Sequence, residues 1–221
     1  MDILQAINER QSIRAYLDTP VSRETVYAIL DAARWAASGV NTQPWQVVVV
    51  TGETQQRLGD NIIAAREHNQ KENPDYDYYP EKWVEPWRGR RLQCGLRMYK
   101  ALNIGRKEER KRKQAWYRNY HFFGAPVGLL FFVNKNLGHG SLLDMGLFLQ
   151  NIMLAARHYD LATCPQASLA EYPDIIREVL QLSDELQVLG GMALGYADME
   201  QPINQYRLPR IEVEDFTRWY D

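Results

Sequence analysis

The sequence predicts an α/β or α+β fold, with helices flanking a central mixed sheet, and three observations predict it. Four apolar, β-type runs alternate with stretches of helical periodicity, the pattern of layered folds. The chain has 221 residues, 45% hydrophobic and 24% charged, values that fit one domain carrying an elaborated insertion and exclude wholesale disorder, collagen and coiled coil. One helical stretch, Leu142 to Tyr159, is apolar nearly all round, so it belongs in the middle of something, and a second subunit is the natural cover.

The elements follow in order. Asp2 stands where a helix cap belongs, with Ile3, Leu4 and Ile7 on one face and an end near Glu9. Ser22 caps a second helix, in which Val26, Ile29, Leu30, Ala33 and Ala37 recur at helical spacing. Ser38-Gly39-Val40-Asn41 breaks it. Gln46 to Thr51 is continuous and β-branched, which predicts a buried strand ending at Gly52, and Leu58, Ile62 and Ile63 mark the next helix. From Glu67 to Arg88 the periodicity dissolves into a polar, aromatic segment containing Asn73-Pro74-Asp75-Tyr76-Asp77-Tyr78-Tyr79-Pro80, a long loop or lid. Leu92, Leu96, Tyr99 and Leu102 restore a helix. Arg106 to Arg118 holds seven basic residues, and Glu108–Arg112 and Glu109–Lys113 at i,i+4 spacing read it as a solvated helix, with a nucleic-acid patch as the competing reading. Pro126 to Val133 is a second buried strand. Ala162 to Ala167 and Gln187 to Ala197 are two more, with a helix from Pro173 to Leu180 between them.

Composition narrows function. A net charge of −2 and a pI near 6.1 exclude a polyanion binder at the scale of the whole molecule. Cys94 and Cys164 fit neither a disulfide framework nor zinc spacing and read as free thiols of a reducing compartment. The opening residues do not read as a signal peptide, and the longest apolar run, Ala125 to Val133, is far below the ~20 residues of a membrane span, so a cytoplasmic protein is expected. Gly190-Gly191-Met192-Ala193-Leu194-Gly195 lacks dinucleotide-fingerprint spacing. No Walker lysine or nucleophile elbow is present, and His68, His121, His139 and His158 are scattered. A bound cofactor that brings its own chemistry fits this inventory better than a side-chain nucleophile or a metal.

Two segments carry the positive signal. Arg10-Gln11-Ser12-Ile13-Arg14 sets two guanidinium forks, at i and i+4, around a hydroxyl, which suits an anion such as phosphate. Ser38-Gly39-Val40-Asn41-Thr42-Gln43-Pro44-Trp45 is an amide-rich turn that can complement the edge of a heterocycle. Together they resemble the opening of the nitroreductase family of FMN-dependent oxidoreductases. The likeness continues through Asn119-Tyr120-His121-Phe122-Phe123-Gly124-Ala125-Pro126, Leu161-Ala162-Thr163-Cys164-Pro165-Gln166-Ala167, Gly191-Met192-Ala193-Leu194-Gly195-Tyr196 and Arg207-Leu208-Pro209-Arg210-Ile211-Glu212. It spans nearly the whole of residues 1–221 except a variable stretch at about 67–118, and it leans toward the branch that reduces nitrobenzoates and other nitroaromatics.

The resemblance implies a nitroreductase-like fold and an intertwined homodimer with FMN at the subunit interface. It implies that Arg10, Ser12 and Arg14, with Arg207 or Arg210, hold the phosphate and ribityl chain. Ser38, Gly39 and Asn41 would approach from the partner subunit, and Pro165, Gln166 and Ala167 would cross the edge of the flavin near N5, with Asn119 beside it. NADH or NADPH would deliver hydride to N5 and a planar acceptor would then collect it at the same place, a ping-pong cycle with no obligatory side-chain acid or base. The aromatic insertion, with Tyr76, Tyr78, Tyr79, Trp83 and Trp87, is expected to wall the substrate site, and its basic part to attract an anion. Three other readings stay open: the same fold serving a different acceptor (flavin or quinone reductase, dehalogenase or heterocycle dehydrogenase), a flavin-free binding protein, and a nucleic-acid binder.

Overall fold

Four strands form one sheet in the order β1 (Gln46–Val50), β2 (Val127–Asn134), β4 (Leu186–Gly195), β3 (Ala162–Gln166). The computed structural model describes residues 2–221. The helices are α1 (Ile3–Glu9), α2 (Arg23–Ala33), α3 (Gly52–Glu67), α4 (Trp87–Ala101), α5 (Glu109–Tyr117), α6 (Gly140–His158) and α7 (Pro173–Leu180), with short 3₁₀ turns at Gly39–Asn41, Phe122–Gly124, Ala167–Ala170, Pro202–Asn204 and Val213–Asp215.

β2 explains the layering. Strand side chains alternate between faces. Val127, Leu129 and Phe131 pack on one side with Val26 and Ile29 of α2 and Phe148 and Ile152 of α6. Leu130 and Phe132 pack on the other with Leu58 and Ile62 of α3 and Ile176 of α7. Both faces are covered by helices, so the strand is one unbroken apolar run, as the sequence shows.

The structure corrects four expectations. The sheet is antiparallel at every ladder, with β1–β2, β2–β4 and β3–β4 all opposed. β2 and β3 are both antiparallel to β4, so they run parallel to each other on either side of it. The strand–helix–strand rhythm of β2–α6–β3 thus reports a genuine crossover into which β4 is later inserted. β1 is an edge strand and leaves Val49 exposed rather than buried. α2 stops at Ala33, short of Ala37. Glu108 and Glu109 do not make the i,i+4 pairs. Glu108 sits outside helical geometry at the cap of α5 and reaches Lys111 at 2.5 Å, while Lys113 pairs with Glu67 at 2.7 Å. Arg112 lies over the ring of Tyr99 at 4.2 Å, so all three central cations of this stretch are locally engaged.

Two details of the helices bear on the site. Ser22 caps α2 by accepting the Thr25 N–H at 3.1 Å, whereas Asp2 makes no side-chain cap. α6 buries the row Ser141, Met145, Phe148, Ile152 and Ala156, while on its other side Leu143 is 76% exposed and Leu147 50%. The helix is therefore not buried on every side within its own chain.

Candidate functional site

The arginine segment reaches the sheet by backbone pairing. Ser12 forms a parallel bridge with Thr163, and the Ile13 N–H donates to the Thr163 carbonyl at 3.0 Å. This lays residues 10–14 along β3 and sets them beside Cys164 and Pro165. Asn204, 1% exposed, locks the arrangement. Its side-chain oxygen accepts the Arg14 N–H at 2.8 Å, its amide donates to the Ala15 and Asp198 carbonyls at 2.8 Å each, and its own carbonyl accepts from Gln11 at 2.9 Å. Three of these bonds use the side-chain amide, both of its donors included, and the fourth uses the backbone carbonyl of the same residue.

Beyond β3 the chain turns through Ala167–Ala170 over β4. Glycine makes that approach feasible: a Cβ on Gly190, at φ 140°, would stand 2.8 Å from the Gln166 carbonyl, and one on Gly191 would collide with the Leu169 side chain of the turn. The Gly190-Gly191 pair is thus a packing device beneath the site. Gln166 Nε2 donates to the Asn119 carbonyl at 2.7 Å and so ties the Asn119–Pro126 segment to the same place. Gln55, from α3, holds that segment's far end through the Ala125 carbonyl at 2.8 Å.

These elements enclose a cavity of about 450 Å³. Arg14, Asn119, Pro165, Gln166 and Ala167 all line it, together with Arg118, Glu171 and Tyr76, Tyr78 and Tyr79 of the aromatic insertion, whereas Trp83 and Trp87, expected in the same wall, do not. The insertion is a chain of ring contacts, with Tyr76–Tyr78 at 6.2 Å, Tyr78–Tyr79 at 4.6 Å and Tyr79–Trp83 at 5.6 Å between centroids. It is anchored by Asp75, whose carboxylate takes a forked pair of hydrogen bonds from Arg177 at 2.7 and 3.2 Å and a third from the Val188 N–H at 2.8 Å.

Arg10, Ser12 and Arg207 gather just beside the cavity. Arg207 donates to the carbonyls of Asn8 and Arg10, while Arg210 is held by those of Leu208 and Pro209. Burial, then the nearby Arg210 and Arg207, pull the Arg10 guanidinium below its usual value. Among the described residues none of Arg10, Arg14, Arg207 and Arg210 has a carboxylate partner. Such crowding of cations costs energy that an anion relieves. Burial likewise raises the Cys164 thiol, so it stays neutral between Arg14 and Arg10.

The orphaned polar atoms are the second mark of a ligand. Gln166 Oε1, Ser168 Oγ and Gln11 Oε1 are buried with no hydrogen-bond partner. A phosphorylated polyol attached to a heterocycle, which is FMN, offers a dianion to the arginines and donors to the amide and hydroxyl oxygens. The residues present fit it.

Ser38, Gly39 and Asn41 lie elsewhere on this chain, on the 3₁₀ turn between α2 and β1, and do not line the cavity. That turn is held open and strained. Gly39 N–H faces the Asp144 carboxylate at 3.3 Å, Ser38 Oγ accepts the Gln43 N–H at 3.0 Å, and Val40, Asn41 and Gln43 all have positive φ. A fully exposed β-branched residue at φ 46° is uncommon and marks a conformation kept for a purpose. Sequence reasoning missed Asn204, Asp75–Arg177 and the cluster around Glu171. Asp75 and Tyr120 lay within segments marked for their pattern and Arg177 within a predicted helix, but none carries a local signal of its role. No helix among the described residues is long and apolar enough to cross a membrane, and no group of three or more His, Cys, Asp or Glu among them is placed to hold a metal.

Comparison with known proteins agrees with this geometry. The chain is 38% identical over 218 residues to a 4-nitrobenzoate reductase of Pseudomonas putida, covering 99% of this chain and 95% of that one. It is 39% identical over 212 residues to a nitrobenzene nitroreductase of Ectopseudomonas oleovorans, covering 96% and 93%. The crystal structure of the FMN- and NADPH-dependent nitroreductase NfnB of Sphigopyxis sp. strain HMH superposes with a TM-score of 0.97 at 36% identity, over 100% of both chains. That of the FMN-dependent NfnB of Mycobacterium smegmatis in complex with NADPH gives 0.93 at 32%, over 99% and 97%. The family model described as the nitroreductase family matches residues 7–196, and the chain belongs to that family.

Proposed function

We propose that this protein is an FMN-dependent NAD(P)H oxidoreductase that reduces nitroaromatic or related planar acceptors by a ping-pong cycle. The observation that carries this reading is the Ser12–Thr163 bridge. It brings carboxylate-free arginines against a cavity whose edge segment carries two orphaned buried acceptors. Bound there, FMN would supply two-electron chemistry as hydride transfer at N5.

The chain's own residues bind, orient and exclude water. Arg10, Ser12 and Arg14 hold the phosphate and ribityl chain. Arg207, which touches the Arg10 carbonyl, and Arg210, whose charge acts on the Arg10 guanidinium more strongly than that of Arg207, complete the cationic set. The 165–168 segment runs along the flavin edge, with Gln166 Oε1 as an acceptor and Asn119 fixed beside it. The insertion at about 67–118 covers the cavity with rings that suit a planar acceptor. All of 1–221 acts as one domain.

A homodimer completes the site. α6 leaves Leu143 and Leu147 uncovered, α2 leaves Tyr27, the turn after it leaves Trp35, and the C-terminal segment leaves Phe216, Trp219 and Tyr220, more apolar surface than a monomer keeps in water. The Ser38–Asn41 turn, distant from its own cavity, then serves the partner's. Two free thiols suit a cytoplasmic location. The test is the visible spectrum of the purified protein before and after anaerobic NADPH, with its sedimentation behaviour. Flavin bands that bleach, in a dimer, are expected. A colourless protein that takes up no FMN overturns the reading.

A further inference from the structure

The cavity holds an ionisable group that cofactor binding leaves unused. Glu171 lines it, directly after the Ala167–Ala170 turn, with its side chain 20% exposed. Its Oε2 accepts the Tyr120 hydroxyl at 2.6 Å and Arg66 Nη1 at 2.9 Å. Its Oε1 makes no hydrogen bond among the described residues. Tyr120 is itself fixed, accepting from Trp116 Nε1 at 3.1 Å and from Arg66 at 3.1 Å. The carboxyl is thus gripped by one oxygen, with the other left free in a lining residue of the cavity. Arg66 shares its charge with Glu72 at 2.6 Å, so the cation does not fully neutralise Glu171. Tyr172 and Tyr79 are the remaining ionisable groups near it.

We propose that Glu171 is the proton donor for nitro reduction in this cavity. The proposal rests on the nitroreductase reading above. The step balances as follows: a nitro group takes a hydride, with its two electrons, from the NAD(P)H-reduced cofactor, and a proton from the Glu171 carboxyl. One N–O bond breaks, its oxygen leaves as water with those two hydrogens, and a nitroso group remains. The Glu171 carboxylate left behind keeps its hydrogen bonds to Tyr120 and Arg66 and is reprotonated from solvent. The electrostatics are consistent with this role: burial above all, and then Glu72, push the carboxyl up to about 7 against the pull of Tyr120 and Arg66. An acid with that value is both protonated and willing to yield its proton at neutral pH.

The test is stopped-flow reoxidation of the reduced holoenzyme by nitrobenzoate and by ferricyanide, a one-electron acceptor that needs no proton. In Glu171→Gln the ratio of nitrobenzoate to ferricyanide rates is expected to fall by about 10²-fold, the scale of general acid catalysis. The wild-type nitrobenzoate rate is expected to decline above about pH 7, and the variant to lose that limb. Tyr120→Phe, which deletes a hydrogen bond that favours the carboxylate, is expected to move the limb to higher pH. A readout independent of turnover is the infrared carboxyl C=O band, which should titrate near neutrality in wild type and vanish in Glu171→Gln. An unchanged ratio and pH limb overturn the proposal, as does an equal loss with both acceptors. Should Glu171→Gln fail to fold, an unmoved limb in Tyr120→Phe overturns it. Failure of the parent reading looks different, because the wild type would then bind no flavin or would not bleach with NADPH.

Discussion

Replacing Asp75 by alanine should loosen the wall of the cavity and destabilise the whole chain. Asp75 and Arg177 are 9% and 7% exposed, so the pair is desolvated. Removing the carboxylate strips Arg177 of its forked partner and leaves the Val188 N–H without its 2.8 Å acceptor. Arg177 keeps the Leu186 carbonyl at 3.0 Å and Asp174 at 2.7 Å, but Asp174 is largely solvated and compensates little. Arg177 Nε already lacks a hydrogen-bond partner, with the solvated Asp184 carboxylate standing off at 3.6 Å. Breaking a buried pair from one side costs about 3–5 kcal/mol, because the surviving charge stays buried. For a chain of this length that is a fall in melting temperature of roughly 6–20 °C, at ~2–4 °C per kcal/mol. The assay is urea denaturation and calorimetry at fixed protein concentration with FMN saturating, since the proposed dimer and the ligand would both shift the transition. The 68–86 segment should also become protease-sensitive, and KM for a planar acceptor should rise, because Tyr76, Tyr78 and Tyr79 line the cavity from it. A loss under about 1 kcal/mol would refute the claim that this pair anchors the wall, and would place it among the surface pairs worth little.

Arg10→Ala should weaken FMN binding by about 10- to 100-fold, the equivalent of one charge-assisted hydrogen bond of ~1.5–3 kcal/mol, as read by flavin fluorescence titration; undiminished affinity would remove Arg10 from the phosphate site. Phe148→Ala should cost about 3–5 kcal/mol, because it deletes a buried ring stacked on Trp45 at 4.9 Å and 4° and opens a cavity between α6 and the sheet. Its check is denaturant unfolding. The folded Glu171 carboxyl titrates at about 7, above an ordinary value of 4.5, so the stability it contributes is complete below about pH 4.5 and lost as pH rises through about 7. Relative to wild type, Glu171→Gln should therefore gain a few kcal/mol between pH 5 and pH 8, and an equal difference at both pH values would count against the burial argument.

How much of this was legible in the sequence depends on whether a signal is local. Helix and strand positions are set by periodicity and caps, so α1, α6, α7 and β2 stand within a residue or two of where Ile3–Ile7, the apolar 142–159 run, Pro173 and the 126–133 run predict. Sheet direction is not local. The β2–α6–β3 rhythm reports parallel strands, and nothing between residues 127 and 166 shows that β4, twenty residues further on, will pair between them. Burial of β1 was misread for a related reason, since an apolar run states that a strand wants cover and not whether its own chain supplies it. Exposed Val49, like Leu143 and Leu147, is that unmet demand. At the site, motif residues were legible because each motif concentrates several chemically apt groups within a few positions. Arg10 to Arg14 and Pro165 to Ala167 do meet, through Ser12 and Thr163. The groups that hold them there are single residues far apart in sequence. Asn204 binds Arg14 and Ala15 across about 190 positions, and Glu171 meets Tyr120 and Arg66 across 51 and 105. A lone Asn or Glu looks like any surface residue until the fold buries it. Burial then turns it into the most constrained group present, because a desolvated polar atom must be partnered or carry a cost. The motifs therefore name the ligand the site takes, while the isolated buried polar residues, which only the fold reveals, set its geometry and its acid–base behaviour.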